Sequence, residues 1–183
     1  MSIWKRLFGI RRASKGAGTG TDKIDYEVLD LEIGYILDYD LKSWEVTDKA
    51  VYTWENGVTD YEYTIKDGTS TAYLYLEAST GRLSMYTDGK INEMWPQGKV
   101  IMRQGEDLIN EEIKFGGNTY YFYAEAAARV KNKSESYMLE NWLFLDASEK
   151  EILSFNLYED RSMDAFKGIY LKSFEISNIL PRQ

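Results

Sequence analysis

Apolar and polar positions alternate along this chain with two different periods, and the change between them divides it. Over Met1–Arg12, Met1, Ile3, Trp4, Leu7, Phe8 and Ile10 share one face at helical spacing. Ser2, Lys5, Arg6, Gly9 and Arg12 take the other face, and Arg11 interrupts the apolar arc. The spacing predicts a short amphipathic helix. Ala13–Thr21 is rich in Gly, Ser and Thr, the composition of a flexible linker.

From Ile24 onward the period is that of strands. Thr59–Lys66 alternates strictly, with Tyr61, Tyr63 and Ile65 on one face and Glu62, Thr64 and Lys66 on the other. Ala72–Glu77 is apolar on both faces, which predicts a strand covered on both sides. Ile33–Tyr39, Trp44–Val46, Ala50–Trp54 and Leu83–Tyr86 complete the first set. Turns are expected at Asn56-Gly57, as a type I′ hairpin with positive φ at both residues, and at Asp67-Gly68, Thr80-Gly81 and Asp88-Gly89. Gly116-Gly117 also reads as a turn and fits no phosphate-binding loop.

The pattern then recurs. Tyr73–Ser79 reads aromatic-Leu-aromatic-Leu-acid-Ala-Ser, and so does Trp142–Ser148. Leu83-Ser84-Met85 is echoed by Leu153-Ser154-Phe155, and the spacing Tyr39 to Trp44 by Phe115 to Tyr120. Trp95–Gly98 and Ala165–Gly168 are each expected to lead into an apolar strand. Self-similarity at this period predicts two related β units, over 24–104 and 105–183, forming one body or two lobes after a segment 1–23. Ala124–Val130 favours helix by propensity, but its counterpart in the first unit, Lys49–Tyr52, reads as strand, so strand is expected here too. The fold class is mostly β: antiparallel meanders with a short N-terminal helix on a linker.

Composition narrows the chemistry. The chain has neither Cys nor His, which removes disulfides, thiolate nucleophiles, imidazole bases and the usual zinc sites. No cofactor is expected. The net charge of -8 conceals six basic groups against Asp22 alone in residues 1–23. The acidic remainder repels phosphate backbones, so no nucleic-acid partner is expected. No apolar run predicts a signal peptide or membrane span, and a cysteine-free chain fits the cytoplasm.

Several motifs carry a resemblance: Ile33-Gly34, Asp38-Tyr39-Asp40, Trp44-Glu45-Val46, Tyr61-Glu62-Tyr63 and Tyr73-Leu74. In this order they resemble the bacterial family catalogued as domain of unknown function 4178. Tyr35 stands where that family commonly has Asp, and Tyr73 where it commonly has Trp. The second unit keeps Trp142-Leu143 without a Glu-Tyr pair. The resemblance implies no assigned activity. It also implies gene neighbourhoods shared with membrane-associated stress proteins and small membrane proteins.

Three sets of residues could carry function. Trp4, Lys5, Arg6, Leu7, Phe8, Arg11 and Arg12 could seat the chain on an anionic membrane surface or a protein partner. Among the carboxylates Asp38, Asp40, Glu62, Glu77, Asp146, Glu159 and Asp160, none has the spacing of a known metal loop. Glu62 stands out because it lies inside a strand between two tyrosines, and Tyr61, Glu62 and Tyr63 form the candidate ligand surface. The rings of Tyr73, Tyr75, Tyr120, Tyr121, Tyr123, Trp142 and Phe144 could line a site or fill a core. Leu74, Leu76, Leu143 and Leu145 are expected in the core. The expected function is a non-catalytic binding or accessory module, peripheral at a membrane. The competing expectation is a carboxylate-based enzyme acting on a sugar or cationic small molecule.

Overall fold

The computed structural model describes residues 25–104 and 111–181. They form a mostly β structure of eleven antiparallel strands with two short α-helices. The first meander runs β1 (Ile36–Tyr39), β2 (Lys42–Trp54), β3 (Thr59–Lys66), β4 (Thr71–Glu77) and β5 (Arg82–Gly89). Helices α1 (Ile91–Met94) and α2 (Gly98–Gln104) follow. The second meander runs β6 (Glu112–Phe115), β7 (Asn118–Lys131), β8 (Ser136–Asp146), β9 (Glu151–Tyr158) and β10 (Met163–Leu171). The last strand, β11 (Ser177–Leu180), returns to pair with β1. The helix and linker expected over Met1–Thr21 lie outside the described residues.

The strand order is β11-β1-β2-β3-β4-β5-β10-β9-β8-β7-β6, and β2 pairs with β7 as well. That extra pairing closes β2-β3-β4-β5-β10-β9-β8-β7 into an eight-stranded antiparallel ring, leaving β1, β11 and β6 as flanges. The two meanders meet at two seams: β5 against β10 over seven residue pairs, and β2 against β7 over four. Strands β2 and β7 are long because each serves two neighbours. Lys42–Glu45 pair with β1 while Val51–Trp54 pair with β7; Asn118–Tyr121 pair with β6 while Ala128–Lys131 pair with β2. A bulge between Val46 and Asp48, and another between Phe122 and Ala124, separates the two tasks. An extra residue bends a strand and increases its twist, letting one half join the ring while the other leaves it.

Strand alternation puts the two larger apolar cores outside the ring. In β4, Ala72, Leu74 and Leu76 pack with Leu37 of β1, Trp44 of β2 and Ile179 of β11. In β8 and β9, Trp142, Phe144, Leu153 and Phe155 pack with Trp95, Met94 and Met102 from the helical segment and Ile113 of β6. The Trp95 ring lies 5.2 Å from both Phe144 and Phe155. Flanges and helices thus cover the outer faces, and the alternate residues face the ring interior.

Ala124–Val130 is strand, as expected: pairing with β8, and with β2 from Ala128 onward, overrides local helix preference. Several other expectations change on this frame. Trp95–Gly98 leads into α2, not a strand: Ile101 and Met102 pack inward on one side while Val100 stays exposed. At Asn56-Gly57 only Gly57 takes positive φ (+80°), and Asn56 instead caps the Val58 N–H with its side chain at 2.9 Å. The two-residue turn with positive φ at both positions occurs at Gly116-Gly117 (61° and 86°) and at Asp40-Leu41 (49° and 60°). Asp88-Gly89 closes no hairpin. Gly89 lies within β5 opposite Ala165, and a Cβ there would strike the Met94 sulfur. Tyr73–Leu76 lies in the fourth strand of its meander and Trp142–Leu145 in the third of the other, so that echo does not match strand for strand. Leu74, Leu76 and Leu145 are buried, whereas Leu143 points into the ring.

Candidate functional site

The ring encloses a chamber of about 440 Å³, and all eight of its strands contribute to the lining. Tyr52 and Trp54 come from β2, Asp60 and Glu62 from β3, Tyr73, Tyr75 and Glu77 from β4, and Tyr86 from β5. Ala124 and Ala126 come from β7, Asn141 and Leu143 from β8, Ser154 and Asn156 from β9, and Phe166 and Tyr170 from β10. The β2–β3 turn adds Glu55 and Asn56 at the rim. Where β2 meets β7, Ala50, Tyr52, Ala128, Val130 and Leu139 form an apolar cluster inside the ring.

The first meander supplies a wall of rings. Tyr52 stacks on Trp54 at 5.8 Å and meets Tyr75 edge-on at 5.6 Å. Tyr75 approaches Tyr86 at 6.5 Å, and Tyr73 approaches Phe166 of the second meander at 5.5 Å. Gly168 lies opposite Tyr86 on β10, and a Cβ there would drive into the Tyr86 ring.

Two of the carboxylates on this wall, Asp60 and Glu62 of β3, have different surroundings. Asp60 is buried and fully engaged. Its Oδ2 accepts from Trp54 Nε1–H at 2.7 Å and Tyr75 O–H at 2.8 Å, and its Oδ1 accepts from the Ala78 N–H at 3.0 Å. Burial and the neighbouring Asp60 raise the Tyr75 hydroxyl far above its ordinary value. Glu62 faces the chamber and, among the described residues, accepts one hydrogen bond, from Tyr52 O–H to Oε2 at 3.1 Å. Burial pushes its carboxyl up to about 7; Asp48 adds to the rise and the Tyr52 hydrogen bond opposes it. No ion pair reaches Glu62 among the described residues.

The second meander supplies amides and a hydroxyl. Asn141 Nδ2 donates to Ser154 Oγ at 2.8 Å, to Asn156 Oδ1 at 2.7 Å and to the Phe155 carbonyl at 3.4 Å. The charged lining residues are Glu55, Asp60, Glu62, Glu77 and Glu125, all acidic. Arg82 near the rim is already engaged by Glu77 at 3.9 Å and lies 5.1 Å from the Tyr170 ring.

Of the residues singled out from sequence, Glu62 alone of its trio reaches this chamber. Tyr61 and Tyr63 point to the opposite face, as period-two alternation requires. Tyr63 is fully buried in the outer core, so it offers no ligand surface, and Tyr61 packs against that core. Lys49 Nζ lies 5.5 Å from both rings. Asp38, Asp146 and Asp160 cap turns and neighbouring side chains outside the chamber. Among the described residues no three metal-binding side chains stand together. Trp4, Lys5, Arg6, Leu7, Phe8, Arg11 and Arg12 lie outside the described residues. Sequence reasoning did not single out Tyr52, Trp54, Asp60, Tyr86, Asn141 or Asn156 as a site. The available signal was polar side chains inside otherwise apolar strands, Asn141 and Asn156 above all.

A family model described as Domain of unknown function (DUF4178) matches residues 32–173. The chain belongs to this family. The matched segment contains every ring strand, so the chamber lies wholly within the family domain. An uncharacterized protein of Aquifex aeolicus (strain VF5) is 29% identical over 154 residues, covering 83% of this chain and 84% of its own length. No solved structure gives a significant match. No function is assigned to the family or to this relative. Among the described residues no helix is long and apolar enough to cross a membrane.

Proposed function

We propose that the protein is a binding module whose chamber takes a small organic cation. The observation that carries this reading is Glu62, a carboxyl among aromatic rings with no cationic side chain beside it among the described residues. Leaving water is expensive for a carboxylate unless a counter-charge replaces the lost solvation. A cation entering the chamber supplies that charge and meets the faces of Tyr52, Trp54, Tyr73 and Tyr75. Each desolvated cation–ring contact is worth about 0.5 to 2 kcal/mol. The chamber volume of about 440 Å³ falls within the usual range for small-molecule sites.

Binding is favoured over catalysis because Asp60 has both oxygens committed to Trp54, Tyr75 and Ala78. A two-carboxylate mechanism needs an acid and a base or nucleophile both free to react, and Asp60, which shares the chamber-facing side of β3 with Glu62, is not.

The reading includes a duplicated β unit. In both meanders the first hairpin turns on two residues of positive φ, 76 positions apart. The bulges after Val46 and after Phe122 are 76 apart as well. Thr53 pairs with Arg129 across one seam, again 76 positions on, as expected for two copies related by a twofold axis through that pair.

Titration of Trp fluorescence with butylammonium, butyrate and butanol tests the cation reading. Butylammonium should bind in preference to the other two, and Glu62→Gln should weaken it at least tenfold. Equal response to butyrate would overturn the proposal.

A further inference from the structure

We infer that the chamber selects a protonated primary or secondary amine over a quaternary ammonium, because Glu62 and Asn141 offer hydrogen-bond acceptors to it from two walls. This rests on the cation reading above and specifies the cation. Around Asp60 and Glu62 the donors of the aromatic wall are taken. Tyr52 gives its hydrogen to Glu62, Trp54 and Tyr75 give theirs to Asp60, and Tyr73 gives its own to Asp88. Those donors are already committed.

On Glu62 and Asn141 the uncommitted capacity is acceptor. Glu62 Oε1 accepts nothing among the described residues, since its single partner is on Oε2. Asn141 is 8% exposed and lines the chamber; its Nδ2 is engaged three times and its Oδ1 accepts nothing among the described residues. Asn141 Nδ2 faces the Phe155 carbonyl, which can only accept, and this orientation leaves the oxygen free among the described residues. Glu62 is opposite Ala50 on β2 and Asn141 is opposite Ala126 on β7, so the two hold matching positions in the two meanders.

An ammonium has N–H donors and no acceptor. In this chamber it satisfies Glu62 and Asn141 while its alkyl or aryl stem lies along the rings. A quaternary ammonium keeps the charge but cannot hydrogen-bond, leaving the Asn141 oxygen unpaired on binding. Unpaired buried polar groups are what let a site reject an analogue lacking the matching donor.

The test is calorimetric titration of the full chain at pH 8 with benzylammonium and with benzyltrimethylammonium, for wild type, Asn141→Leu, Asn141→Asp and Glu62→Gln. Wild type should bind benzylammonium at least tenfold more tightly. Asn141→Leu should lose most of that preference while still binding the quaternary ion. Asn141→Asp, which retains an acceptor, should keep the preference, and it serves as the control if Asn141→Leu fails to fold. Glu62→Gln should weaken both ligands. Equal or tighter binding of benzyltrimethylammonium by wild type would overturn the donor inference while leaving the cation site standing. Failure of both ions to bind would overturn both. An unchanged preference in a folded Asn141→Leu would remove Asn141 from the site.

Discussion

A carboxyl raised to about 7 in the folded state, against an ordinary value of 4.5, holds a proton that the unfolded chain has already released. Between pH 4.5 and 7 the native state therefore binds more protons at Glu62 than the unfolded state does. This residue's contribution to stability falls as pH rises through that window. Each unit of pKa difference corresponds to about 1.4 kcal/mol. Glu62→Gln should thus be more stable than wild type above pH 7, by on the order of 3 kcal/mol, with the advantage fading toward pH 4.5. Thermal melts across pH 4 to 8.5 measure this, and parallel curves for the two proteins would refute it. Cation binding carries the opposite sign, because it needs the ionised carboxylate, so affinity should tighten as pH rises through 7. A second single-residue effect sits at Leu41, which is fully exposed with φ of 60°. Left-handed backbone costs a non-glycine residue roughly 1 kcal/mol, so Leu41→Gly should raise the denaturation midpoint by a comparable free energy. A lowered midpoint would mean that Leu41 makes a contact worth more than its strain.

At the level of strands, alternation decides what each substitution disturbs. Leu74 is fully buried in an outer core while Leu143 lines the chamber. Leu74→Ala should cost about 2 to 5 kcal/mol, as buried leucines do. Leu143→Ala should cost less and act on ligand affinity. Equal losses from the two in urea denaturation would contradict the assignment of faces. Much of this was readable in advance. The strict alternation of Thr59–Lys66 already separated Glu62 from Tyr61 and Tyr63, and the two apolar faces of Ala72–Glu77 announced a strand covered on both sides. Alternation does not say what does the covering. A face of Tyr73 and Tyr75 looks the same in sequence whether it meets a solid core or a chamber. The difference arises only when β2 reaches β7, a pairing between residues 51–54 and 128–131 that no local pattern encodes. The echo between Tyr73–Ser79 and Trp142–Ser148 misled for a related reason. Aromatic-leucine alternation suits any strand with one face on an outer core and the other on the chamber, so third and fourth strands read alike.

For the whole molecule, the net charge of -8 places the chamber in a field that draws cations inward. Association rates for benzylammonium should fall as salt rises from 20 to 200 mM, on the order expected when the screening length drops toward 10 Å, and a salt-independent rate would argue against steering. The basic segment Met1–Arg12 adds a separate expectation: sedimentation with anionic vesicles at low salt should recover the full chain but not one beginning at Thr21. Equal recovery would remove the membrane role. The unequal seams of the ring bear on its kinetics. Four residue pairs hold β2 to β7, against seven between β5 and β10. The short junction should breathe first, so backbone amides of Val51–Trp54 and Ala128–Lys131 should exchange with deuterated solvent sooner than those of Leu83–Gly89. Tyr52 and Trp54 belong both to that junction and to the chamber wall, so an occupant that braces their rings should slow exchange there selectively, and the chain would report on its cargo through the lifetime of its own seam.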